Sequence, residues 1–447
     1  MSSHELLPIM NNYPNKLLLD PSPSANEAMY DLAKRLFPFP RSLTGDGVRR
    51  TLAEVQTLLP NLQVAEVDSG TRAFDWEVPQ EWNIRDAYVL DESGRKVIDI
   101  NTTNLHVIAY SVPVDEVVTR EELDKHLYSL PDQPDVVPFV QSYYKRRWGF
   151  AIAHRERMAL PRGNYRVVID STLQPGKMTY GELVLPGSEE KEVLLSTYFC
   201  HPSMANDNLS GICVTVFLAQ WLARLQDRRY TYRILFIPET IGSIWYLSAN
   251  LEHMRSKTIA GFVLTCCGDE RQYSFLPSRK GETLADRAAL HVLRHHAPEF
   301  KHYSFLERGS DERQYCSPGI DLPVVSLMRS KYHEYPEYHT SNDDLSLISP
   351  AGLGGAYDAM RKTIAILEQN YTYRSTVLCE PQLGKRGLYP TISIKGSTSG
   401  IQDMINLLAY CDGTLDLIGI AETIGAPAWQ LVEIADRLLD ANVIERC

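Results

Sequence analysis

Three short segments hold side chains suited to binding a divalent cation and activating water. CHPSMANDNLSG (200–211) places His201 in a turn stiffened by Pro202, with Asp207 six residues on. FIPETIGS (236–243) sets Glu239 between Pro238 and Thr240, and KYHEYPEYHTSNDDL (331–345) holds His333 and His339 with Glu334 and Glu337 between them. Imidazole nitrogen and carboxylate oxygen are zinc donors at ~2.0–2.2 Å. A carboxylate beside an activated water is a natural general base. His201, Asp207 and His339 are therefore the candidate metal ligands and Glu239 the candidate base. Each has a blander reading alone. Asp207 could cap a helix, Glu239 could be a solvated charge at a helix start, and 331–345 could be surface charge, although three interleaved tyrosines argue against that.

The surrounding pattern places these segments on a framework. EVLLSTYFC (192–200), YRILFIP (232–238), GFVLTCC (261–267) and LPVVSLM (322–328) read as short buried strands. Helical periodicity follows them: Ile212, Val216, Ala219 and Ala223 share one stripe, as do Ile244, Leu247, Leu251 and Met254, and further helices are expected around 283–297 and 351–369. Alternating strands and helices predict an α/β fold with a mostly parallel central sheet and helices on both faces. Ligands in such sheets sit beyond the carboxyl ends of the strands. His201, Glu239, the Cys266–Cys267–Asp269 group and the stretch from Arg329 to His339 each follow one of the four strands.

Residues 22–58 read as two helices, with Ser24 as a cap for the first and Asp46 just before the second; 63–68 reads as a strand. From 71 to 178 the chain is β-rich. AYVLDESGRKVIDI predicts a hairpin, and NLHVIAYSVPV and NYRVVIDSTL read as strands. The end of the chain, MINLLAYCDGTLDLIGIAETIGAPAWQLVEIADRLLDANVI, reads as helix–helix–turn–helix, like a winged helix. The expected organisation is a discontinuous catalytic domain (1–70 and 179–372), an inserted β-rich domain (71–178) and a winged-helix-like domain (373–447), as suits a chain of 447 residues.

Net charge is −11, which disfavours nucleic acid and anionic membrane as bulk partners. No apolar run is long enough to span a bilayer, and MSSHELLPIMNNYPNK lacks the pattern of a secretory signal. Eight irregularly spaced cysteines without a C-x-x-C pair suggest reduced thiols and a cytoplasmic location. From Ser375 onward nine acidic residues oppose five basic ones, and the candidate recognition helix 427–441 carries Glu433, Asp436 and Asp440 against Arg437. A helix entering a DNA groove needs the opposite balance. The expected role of this module is packing or a homo-oligomer contact.

ANDNLSG (205–211) resembles the A-x-D-N-x-S-G signature of the zinc aminopeptidases related to glutaminyl cyclase and glutamate carboxypeptidase. The resemblance implies that Asp207 sits where that family's aspartate bridges two zinc ions, that His201 and His339 are ligands, and that Glu239 is the base. Two further ligand positions of the family hold Thr240 and Thr265 in this chain. SDERQYCSPGIDLPV (310–324) resembles the family's segment before its last core strand. Over nearly its whole length the chain is similar to a bacterial subgroup with an inserted β-rich domain and a C-terminal winged helix, some labelled polysaccharide-biosynthesis proteins. With threonine at two ligand positions, three protein ligands and a water imply one zinc ion. A second, weaker site would draw on Asp269 or Glu337.

The expected activity is zinc-dependent hydrolysis of an amide in a small-molecule or peptide substrate, aminopeptidase-like, with activated water and Glu239 as base. Asp311 or Glu312 could bind a substrate ammonium and Arg313 a carboxylate, while a local Asp–Arg pair is the plain alternative. Tyr335 or Tyr338 could stabilise the oxyanion. The run Tyr143, Tyr144, Arg146, Arg147, Trp148 either faces the pocket or packs as an edge of the insert. Two other readings stay open: a deacylase acting on an amino sugar or natural-product intermediate, and a catalytically silent scaffold.

Overall fold

A computed structural model describes residues 23–388 and 399–447. The N-terminal stretch read above for a signal lies outside the described residues. Two compact units are present, divided near residue 360.

The first unit is organised by an eight-stranded sheet. Its centre is four parallel strands in the spatial order Tyr230–Ile237, Glu189–Tyr198, Thr258–Val263, Val324–Met328. Lys177–Leu185 and Gln63–Asp68 extend one side antiparallel, and Ser274–Leu276 with Lys301–His302 extend the other. The sheet is thus mixed, with its parallel part where the periodicity predicts it. Central strands are buried along almost their whole length, as expected for strands covered on both faces. From Glu189–Tyr198 the chain crosses to a neighbour on one side, and from there to the neighbour on the other. The topological switch point therefore lies at the end of Glu189–Tyr198, immediately before His201.

The crossover helices lie where the stripes predict them, although Ala223, placed on the first stripe, is exposed. Gly211–Arg224 buries nearly all its apolar residues; Ile241–Lys257, Leu284–His296 and Pro350–Gln369 complete the set. Thr283 and Asp286 form a reciprocal capping box on the third of these. The N-terminal helices are Pro23–Leu36 and Asp46–Leu58. Both cap expectations need correcting. Ser24 lies within the first helix, and Asp46 is the first residue of the second. Gly45 precedes Asp46 at φ 93°, and a Cβ there would lie 2.1 Å from the Trp82 carbonyl oxygen. A glycine allows that turn, and Asn83 Oδ1 accepts the Asp46 N–H at 2.7 Å.

Between the first two outer strands the chain builds a four-stranded antiparallel sheet in the order Lys96–Asp99, Glu81–Leu90, Asn164–Gln174, Val114–Thr119. The hairpin and the strand from Asn164 are where the alternation predicts them. NLHVIAYSVPV is different: Asn104–His106 is a 3-10 turn, and the strand starts only at Val114. The apolar residues there sit in buried loop instead, with Tyr110 stacked on Trp82 at 6.0 Å. One apolar cluster runs from this sheet (Val89, Ile98, Val167) to the central one (Leu194, Leu235, Ile237).

The second unit has helices Ser399–Ala409, Leu417–Ile424 and Ala428–Asp440. It also has a three-stranded sheet of Asp412–Asp416, Thr372–Ser375 and Ile444–Arg446. Those strands are three to five residues long, too short for an alternation to show in sequence. Asp416 caps the second helix by accepting the Gly419 N–H, and Gly425 ends it at φ 71°. No described helix is long and apolar enough to cross a membrane.

Candidate active site

His201, Asp207 and His339, distant in sequence, meet at the switch point. One ligand atom from each lies within 4.8 Å of the other two. His339 Nε2 is 3.0 Å from Asp207 Oδ2, and the two imidazole rings are 5.5 Å apart. His201 Nδ1 contacts Cys200 Sγ at 3.6 Å, which leaves Nε2 turned toward the cluster, 3.7 Å from Glu239 Oε2. Two imidazole nitrogens and one carboxylate oxygen are the protein donors of a three-ligand zinc centre, so the residues present fit that cation.

The electrostatics keep the donors in ligand-competent form. Burial lowers the His201 pKa to about 4, so the ring is neutral near pH 7. Asp207 is lowered to about 2, held down against burial by His201, His339 and Tyr198. Burial, then Asp311 and Asp207, push the Glu239 carboxyl well above the usual carboxylate range. A raised carboxyl holds a proton more readily, as a group that takes one up and returns it must.

Each donor is fixed from behind. The buried guanidinium of Arg41 donates to the His201 carbonyl at 2.9 Å and to the Leu36 carbonyl. Asp343 accepts the N–H groups of Asn206 (2.6 Å) and Asp207 (3.0 Å) and the Tyr335 hydroxyl (3.0 Å). Tyr198 hydroxyl donates to Asp207 Oδ1 and bonds Thr265 Oγ1 at 2.7 Å. His339 has a left-handed backbone, φ 55°. Its carbonyl accepts the Phe139 N–H at 2.8 Å, and Ser341 N–H donates to Val137 O at 2.8 Å. Residues 137–139, between the outer strands, therefore clamp the final histidine. Phe139 also covers both imidazoles, at 5.3 and 5.0 Å. Thr240 (φ 65°) and Cys266 (φ 50°) are likewise left-handed; backbone of this kind concentrates at functional sites.

The other candidates divide. Arg313 is exposed and donates to Thr240 Oγ1 at 2.7 Å. It lines, with Glu239, Tyr143, Tyr144 and Trp76, a cavity of about 200 Å³. Asp311 is fully buried, and its Oδ1 accepts Thr240 N–H and Ser243 hydroxyl, both at 2.8 Å. It thus sits at the start of the helix Ile241–Lys257 and not on the cavity wall. Glu312 is equally buried and accepts from Gly309, Ser310 and Tyr332. Tyr338 stacks on His339 at 3.8 Å, and Tyr335 is engaged by Asp343.

His333 packs against Tyr338 with the rings tilted, 4.6 Å apart, and is not in the cluster. Asp269 accepts from Ser330, Asn206 and Arg271 N–H, and Glu337 holds Arg271 in a bidentate pair at 2.8 Å. Of the cationic-aromatic run, Tyr143 and Tyr144 reach the cavity. Arg147 bonds Ser142 and Tyr128, and Trp148 stacks on His126 at 3.6 Å.

Sequence reasoning missed Arg41, Phe139, Tyr198 and Asp343. Asp343 ends the HTSND run, and its closeness to His339 was the available signal. Nothing local marks the other three.

The fold is aminopeptidase-like. Two solved structures share it at low identity: a zinc aminopeptidase from Bacillus subtilis (14% identity, 76% of this chain and 94% of that one, TM-score 0.56) and a peptidase M28 precursor from Shewanella amazonensis (12%, 82% and 97%, 0.56). The chain belongs to the family described as domain of unknown function DUF4910, which matches residues 30–370, and a winged helix-turn-helix family matches 371–446. A Clostridium acetobutylicum protein named "Putative polysaccharide biosynthesis protein with aminopeptidase-like domain" is 43% identical over 434 residues, 96% of this chain and 99% of the other. A crystal structure from that species, described as a "putative peptidase", has 41% identity and a TM-score of 0.89 over 95% of this chain and 97% of that one.

Proposed function

We propose that the chain is a metal-dependent amide hydrolase of the peptidase type, with His201, Asp207 and His339 holding one zinc ion and Glu239 acting as general base. The observation that carries this reading is the convergence of the three donors with a carboxylate 3.7 Å from His201 Nε2. When bound, zinc supplies a Lewis acid that lowers the pKa of water toward ~7 and polarises a carbonyl. Glu239 takes a proton from the attacking water, whose oxygen joins the carbonyl carbon. As the C–N bond breaks, Glu239 returns that proton to the leaving nitrogen. Tyr338, packed on His339, supplies the hydroxyl assigned to stabilise the developing oxyanion. Phe139 packs against both imidazoles and narrows their access to water.

A count of one ion is supported by Tyr198. A carboxylate that bridges two cations needs both oxygens free for them. Here Oδ1 of Asp207 accepts from a buried tyrosine hydroxyl that is itself bonded to Thr265. Asp269 and Glu337, the candidates for a second site, are engaged by other partners. The relative's name joins polysaccharide biosynthesis to an aminopeptidase-like domain, which fits a biosynthetic role for such a hydrolase.

The test is zinc analysis of protein purified without chelator, followed by turnover of an amide panel by wild type and Glu239→Gln. One zinc per chain is expected in both. Turnover is expected to fall ~10²–10⁴-fold in the variant. Absence of stoichiometric zinc, or equal turnover by the two proteins, would sink the proposal.

A further inference from the structure

Two exposed aromatic side chains line the Glu239 cavity, Trp76 (42% exposed) and Tyr144 (54%), and a third, Phe74 (54%), lines the adjoining one. Large aromatics left in water together, next to a cavity, mark a recognition surface. Trp76 and Tyr144 meet edge to face at 6.3 Å, and the Tyr144 hydroxyl is anchored on the Glu77 carbonyl at 2.9 Å. The pair stands where three cavities adjoin. Trp76 borders the 200 Å³ cavity of Glu239 and one of about 390 Å³ that reaches Phe74 and Ile320. Tyr144 borders the first of these and one of about 300 Å³ that reaches Lys145 and Arg146.

The charges are asymmetric. Among the described residues lining the Glu239 cavity, Arg313 is the one cation, and Glu239 is the one carboxylate. Thr240 fixes the guanidinium, which leaves its remaining N–H donors to face a ligand. Asp311 and Glu312 are buried and do not line this cavity. Each is held through one oxygen, while Asp311 Oδ2 and Glu312 Oε2 have no hydrogen-bond partner among the described residues, so the acidic group that a substrate ammonium would meet on the cavity wall is the base itself. Farther out, Asp75 borders the larger cavity, and Glu77 with Lys145 and Arg146 borders the third.

We infer that the cleft selects amides that carry a carboxylate and a ring with an apolar face, the carboxylate on Arg313 and the ring on the Trp76–Tyr144 platform. This rests on the amide-hydrolase reading and names its substrate class. Planar guanidinium matches carboxylate geometry, and an aromatic face accepts another aromatic ring or the apolar face of a sugar. Two sources share that chemistry: an N-acyl aromatic amino acid and an N-acylated acidic amino sugar. A free-amine peptide does not.

Binding to the zinc-loaded Glu239→Gln protein separates this inference from the reading beneath it, because no turnover is needed. The probes are N-acetylphenylalanine, N-acetylphenylalaninamide, phenylalaninamide, N-acetylglycine, N-acetylmuramic acid and N-acetylglucosamine, followed by calorimetry. At least one carboxylate-and-ring probe is expected to bind roughly tenfold tighter than its counterpart without the carboxylate. The Phe or the muramic arm names the source. Arg313→Gln is expected to erase that preference and Arg313→Lys to restore part of it. Trp76→Ala is expected to weaken the ring-bearing probes roughly fivefold while leaving N-acetylglycine unchanged. Tighter binding of phenylalaninamide than of N-acetylphenylalanine, or a preference that survives Arg313→Gln, would overturn the inference. Failure of turnover in wild type with these preferences intact would overturn only the hydrolase reading.

Discussion

Around Asp207 the polar atoms have resident partners: Tyr198 on one carboxylate oxygen, His339 on the other, Asp343 on the backbone N–H. A few residues away, on the far side of Glu239, Trp76, Tyr144 and Arg313 face water. The first region is pre-organised by buried hydrogen bonds, which are costly to leave unmade and therefore define one geometry. The second keeps apolar and charged surface open, as a site does when its partner is supplied from outside. On the proposed reading, holding and recognising are divided between two regions that share one carboxylate.

The largest effect expected from breaking this contrast is at the ligands. His339→Ala should abolish zinc retention, measured by metal analysis after dialysis. Its activity should fall by more than the ~10–100-fold that loss of a supporting partner costs. A variant that keeps its zinc would show that His339 is not a ligand.

A second change sharpens the role of the buried hydroxyl. Tyr198→Phe combined with Thr265→Asp frees Asp207 Oδ1 and adds a carboxylate beside it. Zinc titration followed by calorimetry should then give two ions per chain, against one for wild type. Two ions in wild type would contradict the reading of Tyr198.

The smallest effect concerns the metal-free protein. His201 has a folded pKa of about 4 against an ordinary 6.5, lowered mainly by burial. Between those values the unfolded chain binds the extra proton, so stability should fall as pH drops from 6.5 toward 4 and be fully retained above 6.5. The size is on the order of 3 kcal/mol. Denaturant melts at pH 7, 5.5 and 4.5, compared with His201→Gln, isolate it. An identical pH dependence in the variant would remove His201 as the cause.

Much of the framework was legible because it rests on local periodicity. Continuous apolar runs at 192–200, 232–238, 261–267 and 322–328 mark the parallel centre, and the helical stripes between them mark the crossovers. His201 and Glu239 could be placed because strand ends in such sheets lie at the ligand crevice. The short strands of the second unit and the buried loop at 104–113 were not legible. Their apolar residues are buried by partners remote in sequence, and no period records that.

The two candidate substrate residues show the same limit. Asp311 and Arg313 are two positions apart and equally suited, by type, to bind an ion. Packing puts one under a helix start and the other on the cavity wall. The chain alone determined which chemical groups were available and which strand each would follow, since side-chain type and periodicity are local properties. Only the tertiary structure decided which of them face one another. Residues 137–139 reaching His339, Arg41 reaching His201 and Tyr198 reaching Asp207 are contacts set by packing, and packing is a property of the whole fold.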